Sequence, residues 1–157
     1  MHLQSNSSSV NWQRQMTKVK QQGKCGSCWS FTITAEVEGR IKIKTGQDND
    51  LSEQQLIDCN TQGHDCNGGW YDAYNYVVSN GYMRESDYPY VGRKQRCNYN
   101  SGRVVARISR SRDLYWQNSC TPLIRAIQDG PVSVAVHTAT SDWEFYSKGI
   151  LNICRKG

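Results

Sequence analysis

The sequence predicts an α+β chain of two lobes, helical first and β-rich second. Capped or striped helical segments fill the first two-thirds. From Val104 the pattern turns towards strands, with alternation over Val132–Val136. Seven cysteines in 157 residues suit disulfides plus a free thiol, and an oxidising compartment. The division that follows is a flexible tail over residues 1–10, a helical lobe over 11–107 and the first part of a β-rich lobe over 108–157.

The first helix is expected from about Ser27 to Lys44. Phe31, Ala35, Val37 and Ile41 give an imperfect stripe, and Thr45-Gly46 supplies a stop. After a polar turn over Asp48–Asp50, Ser52 and Gln55 form a capping box, and Leu51 with Leu56 a hydrophobic staple. A third helix follows Cys66-Asn67-Gly68-Gly69, with Trp70, Ala73, Tyr74 and Val77 on one face, and Asn80-Gly81 ends it. Residues 82–102 read as loop. Thr121-Pro122 opens a further short helix, closed by Asp129-Gly130-Pro131. Val132 to His137 then alternates as a strand with unlike faces does. No internal repeat is present.

Composition narrows the function classes. Apolar content of 37% and charge of 21% read as globular and soluble. No run of about 18 apolar residues exists, so no membrane partner is expected. The net charge of +5 is spread along the chain. Its densest stretch, Arg103 to Arg112, alternates Arg with Val, Ile and Ser and reads as a solvated strand face, so no nucleic-acid partner is expected. No signal peptide precedes the polar stretch His2–Val10, so a secreted or lysosomal protein would have lost a leader. Asn6-Ser7-Ser8 is a weak glycosylation sequon.

The chemistry concentrates in Gln21-Gln22-Gly23-Lys24-Cys25-Gly26-Ser27-Cys28-Trp29-Ser30-Phe31. Cys28 falls where a helix begins. Helix starts carry free N–H groups and partial positive charge, which favour a thiolate nucleophile. Cys25-x-x-Cys28 alone admits three readings: a redox pair, a zinc site completed by Cys59 and Cys66, or one structural and one reactive thiol. No βαβ pattern surrounds it, which weighs against the first. Gln22, six positions before Cys28, supports the third, because its side-chain amide and the Cys28 N–H could both donate to an oxyanion.

These residues resemble the papain-like cysteine proteases. The likeness begins at Val10-Asn11-Trp12 and takes in the Cys25–Trp29 segment, Leu51 to Cys59, and Asp65-Cys66-Asn67-Gly68-Gly69. Tyr88-Pro89-Tyr90, Gly130 to Val134 and Lys148-Gly149-Ile150 extend it over nearly the whole chain. The resemblance implies a papain-like two-lobe fold, a helical left lobe with an incomplete β-barrel-like right lobe. It implies Cys28 as nucleophile, Gln22 as oxyanion donor, and disulfides Cys25–Cys66 and Cys59–Cys97. Gly26, Ser27, Gly68 and Gly69 would meet the substrate backbone. Trp70, Tyr71 and Ala135 would line an apolar pocket for the second residue before the scissile bond, although each could equally be core. It also implies a peptide or protein substrate, a propeptide or cystatin-like inhibitor as partner, no cofactor and no metal.

A cysteine nucleophile of this kind needs a histidine, and that histidine an Asn or Asp. The chain has His2, His64 and His137. None stands where the family has its base, which falls after the Cys154 region. His137 shares strand parity with Ala135, but a polar strand residue is usually just solvated. The expectation is therefore a fragment, or a heavy chain whose light chain carries the missing His and Asn. Cys154 would then lack its family partner, and Cys120, extra to the pattern, is a candidate for it. The alternative function is a non-catalytic papain-like protein that binds peptides or partners.

Overall fold

The computed structural model describes residues 9–114, 120–136, 138 and 141–150. The elements are α1 (Cys28–Thr45), α2 (Glu53–Cys59), α3 (Tyr74–Asn80), β1 (Tyr82–Met83), β2 (Val104–Ala106), α4 (Thr121–Asp129) and α5 (Ser141–Glu144). Short 3-10 turns stand at Gln13–Gln15, Tyr71–Ala73 and Ser101–Arg103. The fold is α+β, with its core between α1, α2, α3 and the β1–β2 pair.

The buried face of α1 differs from the expected stripe. Trp29, Ile33 and Val37 carry it, together with Ser30, Thr34 and Glu38, while Phe31, Ala35 and Ile41 are only half-buried. Polar residues can occupy this face because each is paired. Ser30 Oγ donates to the Ser27 carbonyl at 2.9 Å, and Thr34 Oγ1 lies 3.0 Å from the Tyr82 hydroxyl. Glu38 accepts from Lys20, Thr17 and the Leu51 N–H. A hydrophobic stripe read from sequence cannot see such pairings.

All seven residues of α2 are buried. Its N-cap forms as expected, with Ser52 Oγ accepting from the Gln55 N–H at 3.0 Å. The reciprocal half of the capping box does not form, because the Ser52 N–H donates to the Met83 carbonyl instead. The Gln55 amide reaches outwards, donating to the Tyr76 hydroxyl and the Gly81 carbonyl and accepting from the Met83 N–H at 2.7 Å. Gln54 likewise donates to the Arg93 carbonyl and accepts from the Val91 N–H. Buried amides on α2 thus hold the loops around it.

Three further expectations change. The 82–102 segment, read as loop, contributes β1, which pairs antiparallel with β2. Trp70 lies before the third helix and is 52% exposed, while Ala73 and Val77 are fully buried. Residues 132–136, expected as a strand, carry none. A strand needs a neighbour for its N–H and C=O groups, and none pairs with this stretch among the described residues. His137 and Cys154 lie outside the described residues. Cys120, offered as the partner of Cys154, is an exposed free thiol at the N-cap of α4.

The segment after α4 returns to α1 through polar contacts. The Ser133 N–H donates to Glu36 Oε2 at 2.8 Å, and the Tyr74 hydroxyl donates to the same oxygen at 2.7 Å. Trp12 Nε1 donates to the Ile127 carbonyl at 2.7 Å, tying the N-terminal lead-in to α4.

Candidate active site

Cys28 is the first residue of α1, and its thiol is free and exposed. The turn before it is buried and fixed from several sides. Cys25 is bonded to Cys66, and the Gly26 N–H donates to the Cys66 carbonyl at 2.8 Å. Gly26 is required here, since a Cβ would stand 2.7 Å from that carbonyl oxygen. The second bridge joins Cys59 to Cys97. These are the two pairs that the family resemblance implies. They also remove the zinc and redox readings of Cys25-x-x-Cys28, because Cys25, Cys59 and Cys66 are all engaged elsewhere.

The helix start leaves donors near the thiol. The N–H groups of Ser30 and Phe31 both return to the Ser27 carbonyl, at 2.8 and 3.3 Å. Those of Cys28 and Trp29 lie further out in the first turn, where a helix has no carbonyl of its own to offer. Gln22 belongs to the same turn: its Nε2 donates to the Cys25 carbonyl at 2.9 Å. A primary amide has two donor hydrogens, so one holds the turn and the second can serve a ligand oxygen.

A charge cluster around the part-buried Lys20 fixes the lead-in to Gln22. Lys20 Nζ lies 3.1 Å from Glu38 Oε1, 2.8 Å from Glu53 Oε1 and 2.8 Å from Asp50 Oδ1, and donates to the Leu51 carbonyl at 3.1 Å. Burial alone would lower the Lys20 ammonium, but its bonds to Asp50 and Glu53 and the charges of Glu53 and Glu38 together hold it above its usual value. With three carboxyl groups around one ammonium, the most poorly satisfied of them favours its neutral form. That group is Glu53, whose Oε2 is buried without a partner. Burial pushes it up to about 7 against the opposing pull of Lys20.

The loop from Asn60 to Gly69 is joined to the start of α1 and the turn before it. Asp65 and Gly68 exchange backbone bonds at 3.1 and 3.3 Å, and Trp29 Nε1 donates to the Asp65 carbonyl at 3.1 Å. Gly69 is a packing requirement, because a Cβ there would fall 2.5 Å from the Trp29 ring. At Gly68 the same position is open space. The Trp70 and Tyr71 rings lie 4.9 Å apart, tilted by 39°, both exposed. Ala135 is exposed too.

Two groups here carried no sequence signal for their role. His64 Nε2 lies 2.5 Å from Asp72 Oδ1 and its ring is 5.4 Å from that of Trp29. Tyr90 reaches both Gln22 and Ser27. The Tyr88-Pro89-Tyr90 motif marks the second of these, but only the three-dimensional contact gives its hydroxyl a task.

A free thiol at a helix start, with an amide donor in the preceding turn, supplies the chemistry that a thiol-dependent acyl-transfer site requires. Comparison with known proteins agrees with that class: the model of the papain family of cysteine proteases matches residues 6–157. The chain belongs to the papain family. It is 42% identical over 149 residues to a KDEL-tailed cysteine endopeptidase of Arabidopsis thaliana, covering 91% of this chain and 41% of that protein. It is equally 42% identical over 150 residues to digestive cysteine proteinase 2 of Homarus americanus, covering 90% of this chain and 46% of the other. Among solved structures, digestive procathepsin L 3 of the Tenebrio molitor larval midgut superposes with a TM-score of 0.63 at 40% identity, over 68% of this chain and 36% of that one. The chain thus spans less than half the length of these relatives.

Proposed function

We propose that this chain is the nucleophile-bearing part of a papain-family cysteine peptidase. The observation that carries the reading is the exposed, free Cys28 at the first position of α1, with the Gln22 amide bound into the same turn. The thiolate attacks a peptide carbonyl carbon, forming an S–C bond and moving the π pair onto oxygen. The Gln22 amide and the Cys28 N–H hold that oxyanion. Its collapse breaks the C–N bond, and the leaving amine takes a proton from an imidazolium. Water then hydrolyses the thioester, releasing the acid and restoring the thiol.

The imidazole is assigned to a histidine beyond these 157 residues, on this chain or on a light chain. In support, His64 is engaged by Asp72. On this reading the isolated chain turns over little or no substrate. Gly68 and the exposed Trp70–Tyr71 pair form the floor for an extended peptide, with Ala135 completing an apolar pocket. Hydrophobic side chains are expected there, and a peptide-library profile dominated by Arg or Asp would contradict it. A propeptide or cystatin-like inhibitor would occupy the same cleft. Two disulfides suit a lysosomal or secreted setting, and no helix among the described residues is long and apolar enough to cross a membrane.

Site-resolved labelling by iodoacetamide at neutral pH tests the reading, with exposed Cys120 as the comparator. Faster modification of Cys28 than of Cys120 is expected. An inert Cys28 would favour a peptide-binding protein without catalysis.

A further inference from the structure

We infer that Tyr90 is a positioning residue for the oxyanion donor, its hydroxyl joining the Gln22 backbone to the start of the nucleophile helix. This rests on the reading of Cys28 and Gln22 given above. The Tyr90 hydroxyl donates to the Gln22 carbonyl at 2.7 Å and lies 2.9 Å from Ser27 Oγ. A carbonyl only accepts, so the single phenolic hydrogen goes to Gln22 and the Ser27 hydroxyl donates to the Tyr90 oxygen. Ser27 Oγ also lies 3.4 Å from the Cys25 carbonyl, a longer contact than that to Tyr90.

The ring is itself held in place. It meets Phe31 of α1 edge-on, with centroids 5.0 Å apart, and the Tyr90 N–H donates to Glu85 Oε1 at 2.7 Å. Residues 68 positions apart in sequence are thereby locked across the mouth of α1. Removing the hydroxyl frees the Gln22 carbonyl and returns Ser27 Oγ to the Cys25 carbonyl. That is the oxygen to which the Gln22 amide is bound. The Ser27 N–H already donates to that oxygen at 2.8 Å, so three donors then crowd one acceptor, and the amide loses its fixed position while the Cys28 thiol stays where it is.

The test separates thiol reactivity from oxyanion binding. Iodoacetamide alkylates sulfur and generates no oxyanion. A dipeptide aldehyde with an apolar second residue does: the thiolate sulfur adds to the aldehyde carbon, the carbonyl π pair moves to oxygen, and that oxygen takes a proton from solvent. For Tyr90→Phe the expected result is an iodoacetamide rate at Cys28 within about twofold of the wild type, with aldehyde affinity reduced about tenfold, the scale of one lost hydrogen bond. In a Gln22→Ala background, Tyr90→Phe should weaken aldehyde binding by less than about twofold more, because it acts through Gln22. Ser27→Ala cuts the link at its other end without adding a donor to the Cys25 carbonyl, and should give the same split on a smaller scale, about threefold in aldehyde affinity, if Tyr90→Phe does not fold. Unchanged aldehyde affinity in Tyr90→Phe, or losses that multiply with Gln22→Ala, would overturn the inference and leave the peptidase reading standing. A wild-type Cys28 that takes neither reagent would overturn both.

Discussion

Replacing Glu53 with glutamine should remove a pH-dependent weakness from the helical lobe. The Glu53 side chain is 2% exposed, faces Lys20, Glu38, Asp50 and Glu85, and leaves Oε2 unpartnered. Burial raises its pKa from 4.5 to about 7, with Lys20 opposing and Glu38 adding to the rise. The folded state therefore binds this proton more tightly than the unfolded chain. Stability is greatest below about 4.5 and falls as pH rises through 7, a window of 7 minus 4.5 units. At about 1.4 kcal/mol per unit this is on the order of 3 kcal/mol. Glutamine mimics the neutral acid and has no proton to lose. Urea unfolding followed by circular dichroism at pH 5 and pH 8 measures the difference. Glu53→Gln should match the wild type near pH 5 and exceed it by up to about 3 kcal/mol at pH 8. Glu85, also raised chiefly by burial, is common to both proteins and cancels in the comparison. A wild type as stable as the variant at pH 8 would show that the ion pair with Lys20 outweighs burial, and would refute the reasoning.

Three other variants test the scaffold by thermal or urea unfolding. Ser52→Ala loses the cap to the Gln55 N–H and the bond to the Tyr88 carbonyl, and should cost about 2 kcal/mol; no change would remove the role assigned to the cap. Gly69→Ala drives a Cβ to 2.5 Å from the Trp29 ring and should cost roughly 1–3 kcal/mol, whereas an unaltered melting temperature would contradict the packing argument. Replacing Cys59 and Cys97 together by alanine opens a bridge between residues 38 apart, for an expected loss of about 4 kcal/mol by chain entropy.

Local chemistry was legible in the sequence where it depends on neighbours in the chain. The Ser52 cap, the starts of α1 and α4, and the glycine at the end of α3 are short-range devices, and each stands in the structure. The family, and with it the two bridges, was legible from joint motifs. What escaped depends on contacts across long separations. The buried face of α1 was misplaced because Thr34 and Glu38 find partners on Tyr82 and Lys20. Gln55, read as one half of a capping box, is used by Tyr76, Gly81 and Met83. β1 is two residues long, too short to show alternation. The 132–136 run shows the opposite error, since alternation states a preference that only a neighbouring strand can realise. At the site, Cys28 and Gln22 stand out by spacing, but Tyr90 needs the fold to bring it to them.

The central claim is that Cys28 is an acyl-accepting nucleophile served by Gln22. Acylation by an activated ester tests it most directly, because a nitrophenyl leaving group departs as its anion and needs no general acid. The protein would be incubated with the p-nitrophenyl ester of a blocked dipeptide, then analysed by intact mass and peptide mapping. The expected result is one acyl group, on the Cys28 sulfur, formed about tenfold more slowly in Gln22→Ala. Acylation no faster at Cys28 than at Cys120, or a rate indifferent to Gln22, would contradict the account.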